Sequence, residues 1–162
     1  MSPKKPVAKG KLVATKPAVA DASALNEAWR MMHFALRAVI AEPDRILATR
    51  GLTRVHHRIL FFIAHTPGVS VGELQATLDV TKQALNAPLR QLQEQGLIEL
   101  AKADHDARVR EVHLTTDGVA LEATLTGEQH RMFADAFASA GAQAHEGWRA
   151  VMLELARNGG MK

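Results

Sequence analysis

The chain has 162 residues, enough for one domain with helical extensions. It is 47% apolar but only 4% aromatic, so its core must be built mainly from Leu, Val, Ile, Ala and Met. There is no Cys, which excludes disulfides, thiolate metal ligands and thiol redox sensing, and no apolar run approaches the roughly 18 residues of a transmembrane helix.

The formal net charge is +3, but it is unevenly spread. Residues 1–20 hold Lys4, Lys5, Lys9, Lys11 and Lys16 and no acid; subtracting that +5 from +3 leaves −2 for residues 21–162. The high pI therefore belongs to the tail. Residues 1–22 read as a basic Lys/Pro/Ala-rich flexible arm that cannot bury a core, serving either as a solubilising tail or to track DNA non-specifically. The arm lacks the apolar stretch of a secretory signal, and with no Cys the expected location is cytoplasmic, with no membrane partner.

In chain order, Leu25, Trp29, Met32, Leu36 and Val39 repeat with helical spacing over residues 24–40. The polar segment Glu42-Pro43-Asp44-Arg45 and then Arg50-Gly51-Leu52-Thr53 lead to a second helix, with Thr53 as N-cap and an end near His65-Thr66-Pro67-Gly68. Ser70 and Glu73 have capping-box spacing, and Val69 with Leu74 the spacing of a hydrophobic staple, so a third helix starts here. After a turn at Asp79-Val80, Thr81 caps a fourth helix, with Val80 and Leu85 as a second staple and Gly96 as the stop.

That fourth helix contains TKQALNAPLRQL. Leu85, Leu89 and Leu92 share one face, leaving Lys82, Gln83, Asn86, Ala87 and Arg90 outward. Pro88 deletes a backbone hydrogen bond to the carbonyl of Ala84, at a cost of roughly 3 kcal/mol. It either kinks the helix and re-aims Gln83 and Asn86, is tolerated as a local distortion, or restarts the helix with Asn86 as N-cap.

The period then changes to two. Residues 97–100 form a short apolar strand, Val112 and Leu114 alternate with Glu111 and His113 in another, and the polar AKADHDARVR between them makes a β-hairpin. Helical spacing returns after Thr115, with a break at Gly141 and a last helix that aligns Trp148, Val151, Met152 and Leu155.

Three helices and a two-stranded hairpin, with a two-residue turn between the second and third helices, make a winged helix-turn-helix. The segments VSVGELQATLDVTKQALNAPLRQLQEQGLI and DARVREVHLTTDG resemble the MarR family of bacterial transcription regulators. The carrying residues are Asp106 and Arg108 of the wing, followed by Leu114, Thr115 and Gly118. The resemblance spans about residues 24–157. It implies a mainly α fold with a small β-hairpin: a dimerisation helix and linker at residues 23–52, a winged helix-turn-helix at 53–115 and C-terminal dimerisation helices at 116–158. It also implies a homodimer on a pseudo-palindromic operator in double-stranded DNA, more readily a repressor than an activator, because occlusion requires only binding and release.

The exposed residues of the fourth helix suit base edges: Gln83 and Asn86 for adenine, Arg90 for guanine, Ala87 for a thymine methyl. Lys82 suits a phosphate. From the resemblance, Arg108 enters the minor groove, Asp106 orients it and Arg110 holds a phosphate. Where relatives often have a second arginine after the aspartate, this chain has Ala107. Residues 53–115 hold seven basic and seven acidic residues, which predicts only moderate DNA affinity.

Many relatives release DNA when a small aromatic acid binds beside the first two helices. Here those helices offer Trp29, Met32, His33, Arg37, His56, His57, Arg58, Phe61 and Phe62, a set suited to a planar aromatic or heteroaromatic carboxylate. No cofactor and no metal is expected: His56 and His57 are adjacent rather than one turn apart. The alternatives are a winged helix used for protein contacts and a metal-responsive regulator. No phosphate loop, nucleophile elbow or paired carboxylates point to an enzyme.

Overall fold

The computed structural model describes residues 21–103 and 108–159. The chain divides into two compact units, Met1–Phe34 and Ala35–Lys162. Eight elements follow in order: α1 (Ala22–Ala48), α2 (Arg54–His65), α3 (Val71–Leu78), α4 (Lys82–Glu94), β1 (Ile98–Lys102), β2 (Arg110–Leu114), α5 (Thr116–Ala140) and α6 (Ala142–Asn158). The mainly α fold with one antiparallel hairpin, flanked on both sides by helices, matches the expected class.

In the first unit, Asp21 starts α1 by accepting the Ala24 N–H at 2.8 Å. Leu25, Trp29, Met31 and Phe34 are all more than half exposed there.

The second unit corrects the expectation that α1 ends near Ile40. The helix runs to Ala48 with Pro43 inside it. Pro43 and Leu47, one turn apart, are both fully buried, and the polar neighbours turn outward: Glu42 pairs with Arg45, and Asp44 with Arg54 at 2.6 Å. Burying Leu47 is worth roughly 1.5–3 kcal/mol, comparable to the proline's cost. Polarity read along the chain hid this stripe.

α1 closes with Gly51 at φ +66 and the Leu52 N–H on the Leu47 carbonyl at 3.0 Å, a Schellman closure that buries Leu47 and Leu52 together. Thr53 precedes α2 in extended conformation, and its N–H donates to His56 Nδ1 at 3.0 Å. In α3 the capping box is reciprocal: Ser70 N–H to Glu73 Oε2 at 2.9 Å and Glu73 N–H to Ser70 Oγ at 3.1 Å. Asp79 then adopts φ +52 to end α3, and Thr81 Oγ1 accepts the Ala84 N–H to open α4.

α4 is one continuous helix, so it does not restart at Asn86. Leu85, Leu89 and Leu92 are buried, joining Ile59, Leu60, Leu74, Leu97 and Val112 in a single core.

The hairpin pairs Ile98 with Leu114 through Lys102 with Arg110. It also gains a rung that sequence periodicity could not reveal: Ser70 bridges Glu111, and the Val112 N–H donates to the Val69 carbonyl at 2.9 Å. The start of α3 is thereby fastened to the wing.

Leu114, Thr115 and Gly118 form the joint between wing and α5. Thr115 Oγ1 donates to the Gly96 carbonyl at 2.6 Å and accepts the Gly118 N–H at 3.1 Å. A Cβ on Gly118 would lie 1.9 Å from the Leu97 carbonyl oxygen, so only glycine fits. Further along α5, Leu121 and Leu125 are buried, with Glu122 accepting the Thr126 hydroxyl at 2.5 Å.

The break at Gly141 is present, at φ +88. Trp148 of α6 packs on Phe133 and Phe137 of α5, with ring centroids 5.6 and 5.3 Å apart. Val151, Met152 and Leu155 remain exposed.

Candidate nucleic-acid interface

A concavity of about 790 Å³ opens between α4, the start of α3 and the hairpin. Lys82, Gln83, Asn86, Ala87 and Arg90 line it from α4, and Arg108 and Arg110 from the hairpin. The helix places its five by periodicity, because Leu85 and Leu92 are in the core on the other side, with Leu89 in the core and at the cleft's edge. Antiparallel pairing and the Ser70–Glu111 bridge place the arginines opposite. Asp106 lies outside the described residues.

The lining also includes residues the sequence reading missed: Ser70, Gly72 and Gln75 from the start of α3, and Gln93 from the last turn of α4. Periodicity could have pointed to Gln93, which follows Arg90 on the same stripe. Ser70 was hidden behind its capping role.

Charge is segregated here. Among the described residues the lining holds Lys82, Arg90, Arg108 and Arg110 and no carboxylate. Glu111 instead faces Gly68 and pairs with His113 at 3.3 Å, and Glu94 sits outside the cleft, 3.7 Å from Arg90. That last pair is largely exposed and worth at most roughly 0.5 kcal/mol. A region neutral by count thus gathers four cations on one concave face, which suits a phosphate backbone. Pro88 is half-buried and does not line the cleft.

The Rhodobacter capsulatus HTH-type transcriptional regulator PetP is 41% identical to this chain over 128 residues, covering 79% of this chain and 77% of that one. The MarR family model matches residues 50–109, which carry most of the cleft. The chain belongs to the MarR family. A crystal structure of a MarR family transcription regulator superposes with a TM-score of 0.68 at 26% identity, covering 83% of this chain and 89% of that one. The PcaV transcriptional regulator from Streptomyces coelicolor, solved in complex with its natural ligand, shares the fold at TM-score 0.63 and 16% identity, covering 88% and 98%. As a MarR-family member the chain is a DNA-binding transcriptional regulator and not an enzyme. No helix among the described residues is long and apolar enough to cross a membrane.

The nine residues offered for an effector occupy different environments in this MarR-family chain. In the first unit Trp29, Met32 and His33 are exposed, with His33 edge-on to Phe34 at 5.4 Å. Arg37 is exposed in the second. His56 and His57 are buried, and burial pushes both imidazoles below their ordinary pKa. Among the described residues the buried Nε2 atom of His57 has no hydrogen-bond partner, while the Gln91 side chain neighbours the His56 ring. Arg58 donates to the Leu78 carbonyl at 3.2 Å, bracing the turn before α4. Phe61 stacks on His65 at 4.1 Å, and Phe62 packs against the core. Among the described residues, no group of three or more His, Asp or Glu side chains could hold a metal ion.

Proposed function

We propose that this regulator is a homodimeric repressor that reads a pseudo-palindromic operator with α4 and the hairpin and is released by a small aromatic or heteroaromatic carboxylate. The observation that carries the reading is the cleft: three short polar or small side chains, Gln83, Asn86 and Ala87, sit among four cations on one concave face. Gln83 and Asn86 present amides to adenine edges, Ala87 meets a thymine methyl and Arg90 a guanine, while Lys82 and Arg110 hold phosphates. Arg108 enters the minor groove with Asp106 beside it. Residues 53–115 act as the DNA-binding domain, 1–22 as a basic arm, and 23–52 with 116–158 as dimerisation segments.

Support for the dimer comes from apolar side chains exposed on both flanking segments: Leu25, Trp29 and Phe34 on α1, and Val151 and Leu155 on α6. Burial against a second copy is the simplest way to cover them. A two-fold pair would read half-sites roughly 34–36 Å apart. The buried Nε2 atom of His57, which has no partner among the described residues, supports the carboxylate effector, since it offers a polar contact from a buried apolar setting. The PcaV structure contains that protein's natural ligand, so at least one protein of this fold takes a ligand.

The test is a mobility-shift titration on the DNA flanking the protein's own gene, at several salt concentrations and with a panel of aromatic carboxylates. Salt-dependent, sequence-specific retardation released by one compound is the expected result. Specific binding that no carboxylate releases would sink the effector, and an absence of specific binding would sink the operator reading.

A further inference from the structure

Next to the cleft face of α4 is a flank that touches no part of the concavity, and it carries Gln91 and Gln95. Gln91 Nε2 donates to the Gly51 carbonyl at 2.9 Å, and Gln95 Nε2 donates to the Arg50 carbonyl at 3.1 Å. Neither glutamine lines the cleft.

Their acceptors are consecutive carbonyls at the closure of α1. The Arg50 and Leu52 N–H groups both bond the Leu47 carbonyl, at 2.9 and 3.0 Å, and Gly51 takes the left-handed conformation that ends the helix. Carbonyls at a helix C-terminus have no intrahelical donor and carry the negative end of the helix dipole. An amide N–H is their natural complement. Two glutamines spaced i and i+4 lie side by side on one helix face and so meet two adjacent carbonyls at once. One such bond would leave a pivot. Two, separated by a helical turn, restrict both rotation of α4 about its own axis and sliding along it.

The core does not duplicate this restraint. Leu85, Leu89 and Leu92 hold α4 through non-directional apolar contacts. The glutamine bonds are directional, and they span 40 and 45 residues of sequence.

We propose that Gln91 and Gln95 are positioning residues for DNA reading: they fasten the recognition helix to the end of α1, so that the aim of Gln83 and Asn86 follows α1. In the dimer proposed above, α1 belongs to the shared dimerisation arm. The tie therefore sets the separation of the two recognition helices and selects operators by half-site spacing. This rests on the reading of α4 as the recognition helix and of the protein as a dimer.

The experiment uses the full chain. Duplexes selected from a random library by the wild type define the operator. Wild type and the Gln91→Met/Gln95→Met double variant are then titrated on that operator and on versions with one base pair added or removed between half-sites. Methionine keeps the length and helix propensity of glutamine and removes the donor. The expected result is that the variant loses roughly tenfold affinity for the native spacing and discriminates between spacings by only about threefold or less. Its thermal midpoint should fall by no more than about 8 °C, since only two hydrogen bonds are lost. Gln95→Lys, which restores a donor, should show wild-type spacing preference, whereas Gln95→Met should not.

Unchanged spacing discrimination in a folded double variant overturns the proposal. So does an equal loss on every DNA tested, which would mark a general effect on affinity. Should the double variant fail to fold, the comparison of Gln95→Met with Gln95→Lys at this exposed position decides on the same criteria. A wild type that selects no sequence overturns the DNA-reading function itself, and that outcome is distinct from a selected operator with no glutamine effect.

Discussion

Replacing Gly118 by Ala adds one methyl where the structure has no room. That Cβ would lie 1.9 Å from the Leu97 carbonyl oxygen and 3.0 Å from its carbon. A carbon–oxygen contact settles near 3.3–3.6 Å, so the two must separate by well over about 1 Å. The obstacle is backbone at the start of the hairpin, not the tip of a flexible side chain. Leu97 O already accepts the Thr115 N–H at 3.1 Å, so moving it also strains the α5 cap. Overpacking costs typically about 1–3 kcal/mol, and a fixed carbonyl puts this case at the upper end. Alanine recovers up to about 1 kcal/mol of helix propensity, leaving a net loss of roughly 2 kcal/mol. For a chain of this size that lowers the thermal midpoint by about 4–8 °C. Gly127→Ala is the control in the same helix, where nothing lies within 4 Å of the added carbon; it should raise stability by up to about 1 kcal/mol. Thermal unfolding followed by far-ultraviolet circular dichroism reads both. A midpoint for Gly118→Ala at or above wild type would refute the close-packing argument.

Asn86→Ala should cost about 1–3 kcal/mol of operator affinity and relax preference at one base position, whereas Lys82→Ala should weaken all DNA alike and reduce the salt slope by about one; binding titrations over several salt concentrations separate the two. Ser70→Ala should destabilise the fold by about 1 kcal/mol in urea titration, because the Glu73 N–H loses its acceptor. Thermal stability should fall with acid: burial lowers the native pKa of His56 and His57 below 6.5, so below that pH the unfolded chain binds more protons than the native one. Their contribution is complete above the unfolded pKa and is lost as pH falls from there through the lower native values. Melting curves from about pH 8 to about pH 5 should show this decline, and His57→Gln should flatten it; a wild-type midpoint that is level across that range contradicts the burial argument.

Much of the fold was legible because its signals are local. The Ser70–Glu73 box, the Thr81 cap and the leucine stripe of α4 each operate within a few residues, so side-chain chemistry and spacing specify them together. The cleft residues on α4 followed from the same periodicity, once the leucines claimed the core side. The end of α1 was misread for the opposite reason. Glu42-Pro43-Asp44-Arg45 looks like a linker until Leu47 and Pro43 find a core to enter, and then the proline becomes a buried wedge in a longer helix. His56 and His57, adjacent polar residues, gave no warning that both would be buried.

By itself, then, the sequence determined the element types, the caps, the apolar face of α4 and the resemblance that names the family, all of them written in short-range spacing. Only the tertiary structure decided how charge is distributed and which distant groups meet. Seven acids and seven bases sum to zero along residues 53–115, yet the fold turns four cations into one cleft whose described lining includes no carboxylate. The side-chain amides of Gln91 and Gln95 donate to backbone carbonyls 40 and 45 residues away. A backbone carbonyl has no residue identity to be recognised in a sequence, and its availability depends on where a helix ends. Those features exist only when the chain has closed on itself.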